Sequence, residues 1–211
     1  MERSSKVDFV EERLVAEDNL LAQARAVADL GDSIGNRFNF VVDDIVGARE
    51  CHSIIVFSGI GKSGLVGQYL TSCFNAIGIP SAFLSPSEAV HGDMGVLQAA
   101  GVLIALSVSG ETTEMKPVID RACYLEIPRY LITAGSEECT LATEVTDALF
   151  LPLLPEIDPS GMLPLKASLM QMALGNALVV AVAERIGFSR ERLAELHPGG
   201  AIGEALKESA G

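Results

Sequence analysis

The chain has 211 residues, 49% of them hydrophobic, with eight Phe, three Tyr, no Trp and a formal net charge of −13. That length holds one well-buried domain, and so acidic a surface argues against nucleic-acid binding while leaving room for a small phosphorylated ligand in a pocket with its own N–H donors. The first ten residues, MERSSKVDFV, lack the basic-then-apolar order of a signal peptide. No apolar run is read as reaching the roughly 18 uncharged residues of a membrane helix, so the expected setting is cytoplasmic, with no membrane partner.

Residues 7–50 carry helical periodicity. Val10, Leu14, Leu21, Val27 (or Ala28) and Ile34 can share a face, and Gly31-Asp32-Ser33 offers a break with a fresh N-cap, so two helices are predicted. From Ser53 onward short apolar runs at 54–57, 82–84, 102–106, 130–133 and 148–151 alternate with helical patterns at 64–77, 112–125 and 138–144. Strand, helix, strand in repetition means parallel strands joined by right-handed crossovers. A Pro-rich loop, LPLLPEIDPSGMLP, then leads into an apolar helix over 165–186, a polar turn, a short helix and the segment HPGGAIG. The expected fold class is α/β, a three-layer α/β/α sandwich around a five-stranded parallel sheet. It is expected as a single domain with N-terminal helices 7–50, a sheet core 51–155 and C-terminal helices 160–208. Cys51, Cys73, Cys123 and Cys139 form no C-x-x-C pair and are expected as small buried or half-buried residues, with no metal site or disulfide implied.

In such a sheet ligands bind beyond the carboxyl ends of the strands. After the first strand stands Ser58-Gly59-Ile60-Gly61-Lys62-Ser63-Gly64, opening a helix. A P-loop would need Gly where Val56 stands. Gly59, Gly61 and Gly64 match G-x-G-x-x-G, but the next strand closes on Phe83-Leu84-Ser85 without the acidic residue of a dinucleotide site. The glycines serve either a tight turn or an anion site, and the embedded Lys62 and Ser63 favour the anion. After the third strand, Ser107, Ser109, Thr112 and Thr113 place four hydroxyls in seven residues, where one N-cap needs only one. Glu111 and Glu114 fall at the helix start, which suits the helix dipole, though Glu114 could also face a ligand. His91, between Glu88 and Asp93, is either an acid/base group or a histidine satisfied in a turn, and His197, in HPGG, either a site residue or a helix boundary. His52 precedes the first strand, at the wrong end of the sheet, and is assigned no role.

GIGKSG, SPSEAVHGDMG, SVSGETTE and HPGGAIG, in this order and spacing, resemble the sugar isomerase (SIS) domain family, and within it the arabinose 5-phosphate isomerases, over about residues 41–206. The resemblance implies a flavodoxin-like sheet, a sugar-phosphate substrate and a homotetramer with sites shared between subunits. It implies phosphate contacts from Gly61, Ser63, Ser107, Ser109 and Thr112. It also implies that Lys62 faces the sugar, and that His91, Glu114, Glu156 and His197 belong to the catalytic set, His197 in a neighbour's site.

The implied reaction is an aldose–ketose isomerisation through a cis-enediol, with no metal and no redox cofactor. Glu156 or a histidine takes the carbon proton, and Lys62 and the remaining histidine serve the oxygens. Many arabinose 5-phosphate isomerases continue into paired CBS domains. This sequence stops at Gly211, and regulation through such domains is not expected. The family's T-S-S stretch is replaced by Leu165-Lys166-Ala167, so that either Lys166 supplies a charge contact or the sugar differs. The alternatives are an isomerase of another sugar phosphate and a non-catalytic regulator that binds one.

Overall fold

Five strands, β1 (Ile54–Gly59), β2 (Ser81–Leu84), β3 (Ala100–Leu106), β4 (Arg129–Thr133) and β5 (Asp147–Phe150), form an all-parallel sheet in the order β2-β1-β3-β4-β5. The computed structural model describes residues 9–152, 155, 156, 158 and 160–199. Around the sheet lie α1 (Phe9–Ser33), α2 (Arg37–Glu50), α3 (Gly61–Ala76), α4 (Pro86–Ala89), α5 (Lys116–Tyr124), α6 (Leu165–Arg185) and α7 (Arg190–Leu196), with 3-10 helices at Asp93–Ala99 and Thr113–Met115.

The period of two along each strand divides the core in two. Ile55, Phe57, Val102, Ile104, Leu106, Tyr130, Ile132 and Leu149 pack to one face, under α1, α2, α3 and α6. Val56, Leu103, Ala105, Leu131 and Ala148 pack to the other, against Leu97, Met115, Val118 and Ile119. Strands buried on both faces must be apolar at successive positions, which is why they read as continuous runs rather than alternation. Burying a side chain such as Phe57 or Leu70 contributes roughly 1.5–3 kcal/mol.

Several expectations need correction. α1 runs through Gly31-Asp32-Ser33, and the break falls at residues 34–36. Its buried face carries Ala26 and Leu30, while Leu14, Leu21 and Ile34 are 49%, 55% and 44% exposed. Residues 138–144 form no helix. The N–H groups of Cys139, Ala142 and Glu144 bond three residues back, and that of Leu141 bonds Gly110 O at 2.9 Å, so the chain winds in turns against the neighbouring loop. α6 is long and apolar enough by composition to cross a membrane. However, Ala167, Met170, Gln171, Leu174, Leu178 and Val182 are buried, and it packs on α1, α2 and α3 as a core helix. Cys51 and Cys123 are exposed rather than buried.

Candidate functional site at the switch point of the sheet

β1 and β3 are neighbours, Gly59 opposite Leu106, and their outgoing connections lead to opposite sides of the sheet. A crevice must open where two such connections part, and it is the place where doubly wound sheets receive ligands. A cavity of about 360 Å³ lies there, lined by Ile60, Lys62, Ser63, Leu106, Ser107, Val108, Ser109, Thr112 and Pro164. Two loops singled out from sequence thus meet with the mouth of α6.

The first loop is shaped by close approach. A Cβ on Gly59 would stand 3.0 Å from Leu106 O, and one on Gly64 would stand 2.7 Å from Gly59 O, so neither position admits a side chain without displacing backbone. No side chain of the Ile60 N-cap and no acidic residue of the first turn covers the start of α3, which leaves its N–H groups facing outward with the positive end of the helix. Lys62 is exposed at this rim and Gly61 opens the helix. Ser63 is buried, and its hydroxyl donates to Gln171 Oε1 at 3.0 Å.

The second loop is held by its own hydroxyls. Ser107 Oγ lies 2.8 Å from Thr112 Oγ1 and accepts from the N–H of Gly110 at 3.1 Å. Ser109 Oγ accepts from the N–H of Glu111 at 3.1 Å, a local turn bond rather than a helix cap, because the chain first enters a 3-10 turn at Thr113. Gly110 takes φ 72°, and a Cβ there would overlap Cys139 Sγ at 2.2 Å. Glu111 clasps Thr140, accepting from its hydroxyl and from its N–H at 3.0 Å. Those bonds, the hydroxyl first, hold its carboxyl below the ordinary glutamate range. From β4, Thr133 donates to Val108 O at 3.2 Å and accepts from the N–H of Gly135. The loop is therefore held by bonds of its own.

The other residues singled out are spread more widely. Glu114 is exposed, with Oε2 accepting from the Thr113 hydroxyl at 3.2 Å. His91 follows α4 at the carboxyl end of β2. Its ring is exposed and, among the described residues, makes no hydrogen bond with Glu88 or Asp93. Glu156 is half-buried and caps α6 through the N–H groups of Lys166 and Ala167 at 2.9 and 3.1 Å. Lys166 is 6% exposed, and among the described residues its ammonium has no partner.

His197 is not at this cavity within the chain. It ends α7, with Nδ1 3.0 Å from Leu193 O. The adjoining Leu196 packs at Gly78, between α3 and β2 at the amino edge of the sheet. Since α3 has 16 residues, that edge lies roughly 24 Å from the α3 N-terminus. Residues 200–203 of the HPGGAIG segment lie outside the described residues.

Sequence reasoning missed Gln171 and Thr133, both fully buried. The signal for Gln171 was one amide in the apolar stretch Leu169-Met170-Gln171-Met172-Ala173-Leu174. A second hollow, about 420 Å³, opens beside β5 between Leu30, Phe38, Phe40 and Phe150. Its charged pair, Arg37 and Glu137, is closed on itself at 2.9 Å, whereas the switch-point cavity gathers hydroxyls and the uncapped start of α3.

A sequence profile of the SIS domain matches residues 49–181. Arabinose 5-phosphate isomerase KdsD of Escherichia coli K12 is 33% identical over 187 residues, covering 89% of this chain and 56% of that protein. The chain thus spans about half the length of the curated relatives it matches. Among solved structures, an Escherichia coli CFT073 protein in complex with arabinose 5-phosphate superposes with a TM-score of 0.83 at 27% identity, over 91% of this chain and 100% of that one. A Listeria monocytogenes chain provisionally described as a sugar-phosphate isomerase gives 0.85 at 28%, over 92% and 100%.

Proposed function

The chain belongs to the SIS domain family, and we propose that it is a cytoplasmic aldose–ketose isomerase of a phosphorylated sugar, interconverting D-arabinose 5-phosphate and D-ribulose 5-phosphate. The observation that carries this reading is the switch-point cavity, where the uncapped start of α3, Lys62 and the hydroxyls of Ser107, Ser109 and Thr112 converge. A phosphate fits that set, because N–H and O–H donors fixed in advance bind an oxyanion without reorganising. The solved complex with arabinose 5-phosphate and the curated isomerases support the pentose.

With the phosphate held by Gly61, Ser63, Ser107, Ser109 and Thr112, Lys62 reaches the sugar oxygens and stabilises charge on the carbonyl oxygen as the enediol forms. Glu156 or a histidine takes the proton from the carbon next to the carbonyl and returns it to the adjacent carbon. Glu156 is oriented for a fixed task by two backbone bonds, and His91 and Glu114 stand on loops at the same carboxyl edge. One carbon of the sugar is oxidised as its neighbour is reduced, so the reaction is redox-neutral and calls for no redox carrier.

His197 serves the site of a neighbouring subunit in a homotetramer. Its place at the amino edge supports this, as do Leu14, Leu21, Phe40, Leu65 and Val180, all more than two-fifths exposed. The N-terminal segment 7–50, the sheet core and the C-terminal segment 160–208 act as one domain. Leu165-Lys166-Ala167, which follow Pro164 of the cavity lining, favour a second reading, in which the same chemistry acts on another sugar phosphate.

The test is incubation with D-ribulose 5-phosphate in deuterated water, followed by proton NMR. Arabinose 5-phosphate, or deuterium at the carbon beside the carbonyl, is the expected result. Binding without exchange would replace the isomerase with a sugar-phosphate sensor, and neither binding nor exchange would shift the reading to another sugar.

A further inference from the structure

Four residues far apart in the chain are linked through a single carbonyl oxygen. Ser63, in the first loop, donates its hydroxyl to Gln171 Oε1 at 3.0 Å. Gln171 Nε2, on α6, donates to Ile132 O at 3.3 Å. The same oxygen, at the end of β4, accepts from the N–H of Ser107 at 3.2 Å, and Ser107 begins the second loop. Ser107 then passes the connection on to Thr112 and Gly110 through its hydroxyl.

We propose that Gln171 is a positioning residue that locks the two loops of the switch-point cavity into one unit and fixes the direction of the Ser63 hydroxyl. A carbonyl oxygen has two lone pairs, and here one serves the loop after β3 while the other serves the amide of α6. Gln171 is 0% exposed. A buried amide is tolerated only when its donor and acceptor are both satisfied, and each end of this one faces a different partner. The side chain therefore has one orientation. That orientation holds the Ser63 hydroxyl in one place at the wall of the cavity, so its position is set by a residue that does not line the cavity. No apolar residue of similar size performs this task, because it would leave Ser63 and the second lone pair of Ile132 O without partners.

The inference rests on the proposed sugar-phosphate site for its consequence, but not for its first measurement. Amide hydrogen exchange of the ligand-free protein compares the wild type with Gln171→Met. The expected result is exchange faster by roughly tenfold at Gly64, Ser107 and Gly110 together, whose N–H groups are bonded within the two loops, the scale of one lost buried hydrogen bond. Acceleration confined to the first loop, or to neither, would overturn the lock.

Gln171→Glu adds a signature that a merely structural role does not produce. While neutral, the carboxyl accepts from Ser63 and donates to Ile132 O, and as an anion it faces that carbonyl without a proton. Protection of both loops is thus expected near that of the wild type at low pH and lost as pH rises, with the wild type flat. A pH-independent Gln171→Glu would count against the proposal, and this variant at about pH 5 also decides the matter if Gln171→Met does not fold.

With D-arabinose 5-phosphate, KM of Gln171→Met is expected to rise about tenfold while kcat changes less than about twofold. Ser63→Ala in the Gln171→Met background is expected to add little, because the two act in series. Additive losses would overturn the coupling. A wild type that neither binds nor turns over this sugar would defeat the proposed function, and the exchange result would still decide the role of Gln171.

Discussion

Glu156 Oε2 accepts the backbone N–H of Lys166, ten residues further along the chain, at 2.9 Å. With Oε1 on the N–H of Ala167, the carboxylate closes the start of α6, whose own N-cap residue is Pro164 and carries no acceptor side chain. A group held this way can serve the helix, the chemistry or both, and one substitution separates the cases.

Glu156→Gln turns an amide N–H toward one of the two helix N–H groups. Stability is expected to fall by about 1 kcal/mol, roughly 2–4 °C in Tm, and kcat for arabinose 5-phosphate by at least about 10²-fold. A lowered Tm with unchanged kcat would leave Glu156 as a cap alone.

Lys166 is 6% exposed overall, and among the described residues its ammonium is neither paired nor wholly enclosed, so the stem is buried while the charge reaches the edge of the protein. Lys166→Met keeps the buried stem and removes the charge, and it is expected to leave Tm within about 2 °C and to weaken sugar-phosphate binding about tenfold. A lower Tm with unaltered affinity in calorimetric titration would show that the ammonium faces no ligand.

Ser107 and Thr112 share one bond of 2.8 Å across the second loop. Ser107→Ala and Thr112→Val are each expected to raise the Kd for arabinose 5-phosphate by roughly fivefold to tenfold, and the double variant by less than the product, since either change already breaks the shared bond. Fully multiplicative losses would mean that each hydroxyl contacts the ligand independently.

The Glu111 carboxyl is held below its ordinary value of 4.5 by the Thr140 hydroxyl and then by the Thr140 N–H. A depressed carboxyl binds fewer protons in the folded state, so its contribution is complete above 4.5 and disappears as pH falls through the folded value. Glu111→Ala is expected to lower Tm at neutral pH, with the gap to the wild type closing as the solution is acidified. A constant gap would assign the loss to packing instead of the clasp.

Gly110→Ala meets both a left-handed φ of 72° and the sulfur of Cys139. The expected loss is about 2–4 kcal/mol in denaturant unfolding. Gly110→Ala combined with Cys139→Ala should recover only the part due to the sulfur, since the Cβ at position 139 would still stand 2.9 Å away, whereas complete recovery would show that the φ is freely accessible to alanine.

Much of this was legible in the sequence because strand burial and glycine turns are local. The five apolar runs predict β1–β5 to within a residue or two, and the glycine and hydroxyl segments fall on the two loops that line the cavity. Less local features were misread. Residues 138–144 had helical spacing, yet Leu141 and Thr140 bond to Gly110 and Glu111 in preference to their own turn. On α1 the periodicity allowed several faces, and packing against α6 selected the one carrying Ala26 and Leu30.

Short-range pattern alone was enough for the parallel α/β sheet, the position of its loops and the donors those loops offer, because each follows from residues within one turn or one strand of each other. The convergence of Ser63, Ser107, Ile132 and Gln171 emerges only in the folded chain, as does the placement of His197 at the opposite edge from the cavity. Those relations join residues up to 108 positions apart, and a hydrogen bond over that separation exists only once the crossovers have set the strand order.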